Sequence, residues 1–131
     1  MKKVLICEDD ADLLAMFAAK FKSDGWSVTT AQDGQKGIET IEKNDFDLVL
    51  LDLMMPKKTG FQVLEEVRAN PIYKELPIIV LSGLDRDEDI KKALELGATD
   101  YFVKSQHPLG EILEKAKPFQ ASKSPPRKAT K

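Results

Sequence analysis

Apolar runs of three to five residues alternate with helical patterns along this chain, and that alternation leaves few folds open to it. Val4-Leu5-Ile6-Cys7, Leu48-Val49-Leu50-Leu51, Ile78-Ile79-Val80-Leu81 and Tyr101-Phe102-Val103 are short, apolar and bounded by polar or turn residues, as strands are. Residues 26–30 form a fifth, more polar run, which suits an edge strand. Between the runs, apolar residues recur at helical spacing. Leu13, Leu14, Phe17, Ala18 and Phe21 form one stripe, Ile38 and Ile41 a second, and Phe61, Val63, Leu64 and Val67 a third. Ile90, Ala93 and Leu94 form a fourth, and a short helix from about Leu109 to Lys117 follows.

The punctuation agrees with this order. Asp10 and Asp33-Gly34 start helices, Asp24-Gly25, Asn44-Asp45 and Asn70-Pro71 stop them, and Gly97 caps the fourth. The acidic stretch Asp85 to Asp89 places negative charge at the start of that helix, where its dipole favours it. Strands alternating with helices predict a parallel sheet, because parallel neighbours need crossovers and these are right-handed. The fold class is therefore α/β, a doubly wound five-stranded sheet with helices on both faces. In such sheets the site lies beyond the carboxyl ends of the strands.

Those ends carry the chemistry. Glu8-Asp9 follow the first run, Asp52 the run at 48–51, Ser82 the run at 78–81, and Lys104 the last. Gathered at one edge, three carboxylates, a hydroxyl and an ammonium suit a divalent cation and a phosphoryl group. The carboxylates repel one another, so a cation is needed to hold them together. Asp10 is assigned to capping.

With 131 residues the chain suits one domain with a real core. Its charge sum, 20 − 22 = −2, offers no strong field for nucleic acid or an acidic membrane. One cysteine, Cys7, excludes an internal disulfide and a cysteine-based zinc site, and its apolar setting predicts an inert thiol. No apolar stretch approaches the ~20 residues of a membrane span. The first residues run straight into a strand rather than a signal peptide, so the expected location is cytoplasmic. Residues 1–118 are expected to form the domain, and 119–131 a disordered basic tail or a truncated linker.

Taken together, Glu8-Asp9-Asp10, Asp52-Leu53-Met54-Met55-Pro56, Thr59-Gly60, Ser82-Gly83 and Lys104, in this order, resemble the receiver domains of two-component response regulators. The resemblance covers about residues 2–117. It implies strand order 2-1-3-4-5 and a phosphoryl group taken by Asp52 from a phosphohistidine on a sensor histidine kinase or histidine phosphotransfer protein. It implies Mg²⁺, with Mn²⁺ as a substitute, held by Asp9, Asp52 and the backbone carbonyl of Met54, with Glu8 acting through water. Lys104 would lie against Asp52 and then the phosphoryl oxygens. Ser82 would be the switch hydroxyl, Gly83 would leave room for the phosphoryl group, and Tyr101 would turn inward as Ser82 moves. Met54 and Leu84 would flank the path of the attacking water. Both are apolar, which predicts slow self-dephosphorylation.

The family usually has proline after the lysine, joined by a cis bond; here Ser105 follows Lys104. Either that bond is cis at a cost of ~3–4 kcal/mol, or it is trans and the next loop is rearranged. The chain would act on a downstream protein target through the face of the fourth helix, fifth strand and fifth helix. Direct DNA binding and membrane attachment are not expected, and a phosphorylation-dependent homodimer is open. In this reading it is no enzyme beyond its own phosphorylation and dephosphorylation. Two rival readings stand beside it. One is a Mg²⁺-dependent phosphohydrolase with an aspartyl nucleophile, against which Met54 occupies the place of a general acid. The other is an interaction module independent of phosphorylation. His107, the one histidine, reads as a loop residue, and the tail lysines and Arg127 as solvated charge.

Overall fold

The computed structural model describes residues 1–121, with side chains through residue 120. Five parallel strands, β1 (Lys3–Cys7), β2 (Ser27–Ala31), β3 (Leu48–Leu51), β4 (Ile78–Ser82) and β5 (Asp100–Val103), form one sheet in the order β2-β1-β3-β4-β5. Helices α1 (Ala11–Ser23), α2 (Gly34–Lys43), α3 (Gly60–Ala69), α4 (Asp87–Glu95) and α5 (Leu109–Ala121) connect and follow the strands. The expected fold class and strand order are both found.

The two-residue period of the strands sorts the core into two layers. Val4, Ile6, Leu48, Leu50, Ile79, Leu81 and Phe102 pack with Leu14, Phe17 and Phe21 of α1 and Ile112 and Ala116 of α5. Their neighbours Leu5, Cys7, Val49, Leu51, Ile78, Val80, Tyr101 and Val103 pack on the other face with residues of α2, α3 and α4. That double cover explains why β1, β3 and β4 read as unbroken apolar runs. β2 lies at the edge and keeps Thr29 and Thr30 exposed.

Register decides where the polar residues emerge. Cys7 pairs with Leu51, Leu51 with Val80, and Ser82 with Val103. The ladder runs one residue further on two strands: Asp52 donates its N–H to the Cys7 carbonyl at 3.0 Å, and Lys104 donates to the Ser82 carbonyl at 2.8 Å. The residues that follow each strand therefore leave the sheet at one level.

Several boundaries differ from the sequence expectation. β2 begins at Ser27, because Trp26 turns into the core at 2% exposure. α4 begins at Asp87, after Arg86, and its Leu94 is 45% exposed; only Ala93 of that helix is fully buried. Ile90 and Ala93 face the core as expected, and Leu94 does not. α5 does not stop at Lys117 but passes through Pro118 to Ala121. Phe119 packs against the core and Gln120 donates to the Asp24 carbonyl at 2.9 Å, which holds the last turn despite the proline. The expected tail thus loses residues 119–121 to the helix, and 122–131 lie outside the described residues. Asp10 caps α1 as expected, accepting from Asp12 N and Leu13 N.

Cys7 lies within this core, and burial pushes its thiol up to about 12, with the charge of Asp33 adding to the effect. The folded value exceeds the ordinary 9.0, so the thiol's contribution to stability is whole below pH 9 and is lost as pH climbs to about 12. Iodoacetamide at pH 8.5 should label the native protein at least ~100-fold more slowly than the urea-unfolded chain. Equal labelling rates would show that Cys7 is open to solvent.

Candidate functional site

The site is built at the carboxyl edge of the sheet. Glu8 follows β1 and is 3% exposed, Asp52 follows β3 and is 5% exposed, and Ser82 ends β4 fully buried. Lys104 follows β5 and reaches across the edge. Its Nζ donates to Glu8 Oε1 at 2.7 Å and to Asp52 Oδ2 at 3.3 Å. The expected contact with Asp52 is present, but the shorter one goes to Glu8. Asp9 is exposed at the mouth, and one oxygen each from Glu8, Asp9 and Asp52 lies within 4.8 Å of the others.

Electrostatics follow from this packing. Burial raises the Glu8 carboxyl above its ordinary range, the Asp52 charge adds to it, and the bonds from Lys104 and the Asp10 N–H oppose it. Burial alone would lower the Lys104 ammonium, but the hydrogen bond to Glu8 and the charges of Asp52 and Glu8 leave it raised. Three carboxylates facing one ammonium leave negative charge uncompensated. The donor set is all oxygen, which fits a hard divalent cation such as Mg²⁺. Glu8 accepts at Oε1 from Lys104 and at Oε2 from the Asp10 N–H at 3.1 Å, and Glu8, Asp9 and Asp52 together could hold such an ion.

The lysine loop resolves the question raised by Ser105. No peptide bond among the described residues is cis. Gln106 and His107 instead fold back on the Val103 carbonyl at 2.9 and 3.1 Å, a turn that holds Lys104 in place without proline. His107 then meets Glu111 at 2.9 Å and the Phe102 ring edge-on, so it is a structural residue of this turn.

Ser82 and Tyr101 converge on one loop residue. Ser82 Oγ accepts from the Leu84 N–H at 3.2 Å, and the Tyr101 hydroxyl donates to the Leu84 carbonyl at 2.7 Å. Tyr101 is therefore already inside, at 9% exposure, where the sequence reading has it turning inward only with Ser82. Burial, chiefly, raises its phenol, so it stays a neutral donor at ordinary pH. A Cβ built on Gly83 would meet no atom within 4 Å, so the space beside Ser82 is open. Met54 is 58% exposed at the rim and Leu84 half-buried opposite. The close approaches of Gly34 and Gly60 to the loop after β3 escape a sequence reading, because they depend on distance and not on residue type.

Residues 4–117 match the family model of the response regulator receiver domain. The chain belongs to this family. Among curated relatives, the receiver is 39% identical over 102 residues to the transcriptional regulatory protein RprY of Bacteroides fragilis, covering 78% of this chain and 42% of that protein. It is 36% identical over 115 residues to the gliding motility regulatory protein of Myxococcus xanthus, covering 87% of this chain and 14% of that one. It thus spans less than half the length of these relatives. Among solved structures, the Francisella response regulator 1452 receiver domain superposes with a TM-score of 0.84 at 30% identity, covering 91% of this chain and 96% of that one. Chemotaxis protein CheY4 of Vibrio cholerae gives 0.83 at 29% identity, covering 91% and 98%. The protein is a receiver domain of two-component response regulators, a family of phosphoacceptor switches that interact with histidine kinases. Among the described residues, no helix is long and apolar enough to cross a membrane.

Like charge crowded into the receiver's site should weaken the fold until a cation enters. Glu8's raised carboxyl favours the folded state on the acid side, and that advantage is lost as pH climbs past the folded value. Asp52→Asn removes one cause of the repulsion. Chemical denaturation at pH 7.5 without divalent cations should find the variant more stable by about 1 kcal/mol. Saturating Mg²⁺ should narrow the gap, and a destabilised variant would contradict this.

Proposed function

We propose that Asp52 is the phosphoacceptor of this receiver, taking a phosphoryl group from a phosphohistidine on a sensor kinase or phosphotransfer protein in the cytoplasm. The reading is carried by the Lys104 ammonium, which joins Glu8 and Asp52 across the sheet edge with Asp9 beside them. An Asp52 oxygen attacks phosphorus as the phosphorus–nitrogen bond breaks, and the imidazole departs with that electron pair. Lys104 is placed to move from the carboxylates towards the phosphoryl oxygens and balance their charge. Asp9, Asp52 and the Met54 carbonyl would hold Mg²⁺ or Mn²⁺, with Glu8 behind them through water. The ion supplies charge neutralisation at the transferred group.

The switch we assign to Ser82 and Tyr101. Ser82 can donate to a phosphoryl oxygen only by turning towards it, which gives up the Leu84 N–H and draws the loop along. Tyr101, holding the Leu84 carbonyl, carries that displacement into β5. The face of α4, β5 and α5 would then meet a downstream protein, or a second copy of the chain. Regulation of transcription is stated by the names of longer relatives; nothing in the receiver's own chemistry asks for DNA. The phosphohydrolase reading lacks a general acid at Met54, and the phosphorylation-independent reading leaves an intact acidic pocket without a use.

Incubation with acetyl phosphate and Mg²⁺ should add one phosphoryl group by intact mass, and Asp52→Ala should add none. An unchanged mass in the parent, or equal gain in the variant, would overturn the assignment. The aspartyl phosphate should be long-lived, because neither Met54 nor Leu84 can orient water. Met54→Asn with Leu84→Glu should shorten its half-life severalfold, measured by mass after donor removal; equal half-lives would refute that role.

A further inference from the structure

The connection between β3 and α3 contains a strained turn, and the first residue of α2 holds it. Lys57 has φ 69°, the one positive value at a non-glycine position among the described residues. The Lys58 N–H reaches back to the Pro56 carbonyl at 2.8 Å and closes a three-residue turn of the rare, strained hand. The same carbonyl accepts a second bond, from the Gly34 N–H at 3.3 Å.

Gly34 is a glycine because of proximity, since its own φ is not positive. A Cβ there would lie 2.0 Å from the Lys58 carbonyl oxygen and 2.7 Å from its carbon. Backbone meets Cβ, so no side-chain rotation relieves the clash. The far end of the loop is as tight: a Cβ on Gly60 would lie 2.4 Å from the Asp52 carbonyl oxygen. Met54 stands between these anchors and donates its N–H to Asp52 Oδ1 at 3.3 Å. Any shift of the Pro56–Lys58 turn is passed to the Met54 peptide, because both ends of the short segment are fixed.

We propose that Gly34 is a positioning residue for the cation site: by seating α2 against the Pro56–Lys58 turn, it fixes the Met54 carbonyl beside Asp52. This rests on the reading in which that carbonyl is a Mg²⁺ ligand. Outer partners of metal ligands commonly set affinity by 10–100-fold. The Lys57–Asp33 pair, at 3.9 Å with the lysine 69% exposed, adds little to the hold.

Calorimetric titration with Mg²⁺ at pH 7.5 separates positioning from stability. Gly34→Ala should weaken Mg²⁺ binding about tenfold. Gly34→Ala with Lys57→Gly should recover melting temperature, since glycine lets the turn yield, yet still bind Mg²⁺ several times more weakly than the parent. This double variant also serves if Gly34→Ala alone does not fold. Gly37→Ala is the control on the same helix: its Cβ would meet the movable Cys7 Sγ at 3.1 Å, and Mg²⁺ affinity should stay parental. Parental affinity in the double variant, or an equal loss in Gly37→Ala, would overturn the proposal. A parent chain that binds no Mg²⁺ would instead overturn the reading of the site, and this proposal with it.

Discussion

One ammonium group organises the functional edge of the sheet. Lys104 bonds the buried Glu8 and Asp52 at once, and without it two desolvated carboxylates would face each other uncompensated. The arrangement is stable but leaves charge to spare. Glu8 stays raised despite the lysine, and Asp9 adds a third carboxylate at the mouth. A site so charged holds its own acids together only in part and is primed for a cation. In the proposed function the same lysine would turn from carboxylate oxygens to phosphoryl oxygens, because both carry like charge at one place.

The sheet brings these groups together through register alone. Cys7, Leu51 and Val80 lie in one row, so the residues after them emerge side by side. The strand interiors are apolar on both faces, and the helices that cover them exclude water up to that row. Slipping β3 by one residue would draw Asp52 into a core layer, where its carboxylate would lie among apolar side chains. The apolar pattern that stabilises the fold therefore also sets the site's geometry.

Much of this was legible in the sequence because it follows from period and punctuation. Four apolar runs ending in Glu8-Asp9, Asp52, Ser82 and Lys104 needed only a parallel sheet to become one site. What was not legible depends on distances between segments far apart in the chain. Lys104 prefers Glu8 because the turn after Val103 aims it there, and no pattern encodes that aim. α5 runs past Pro118 because Gln120 meets the Asp24 carbonyl, a contact 96 positions away. Leu94 looked internal by spacing, but α4 meets the core through Ile90 and Ala93 and leaves Leu94 45% exposed. Tyr101 is inside already because its hydroxyl has a partner in Leu84, which only the folded loop supplies.

The two ends of α4 are held differently. Its C-terminal end is bolted: Arg68 of α3 donates from Nε and Nη2 to the Gly97 carbonyl at 3.0 and 2.8 Å, and from Nη1 to the Tyr73 carbonyl at 2.6 Å. These are charge-assisted bonds to a helix end, where a cation is favoured. At the N-terminal end, Arg86 makes no side-chain cap, and the loop is held by the bonds of Ser82 and Tyr101 to Leu84. The helix body is held by Ala93 and Ile90 in the core and by Lys92 over the Phe61 ring, 4.4 Å from its centre. A phosphoryl group biases α4 only through contacts that differ between two arrangements. In the proposed switch those contacts would be the ones at Ser82, beside the N-terminal end and far from the anchored one. The bond that Ser82 would give up in the proposed switch therefore lies at the N-terminal end of α4, away from the hold of Arg68 on Gly97.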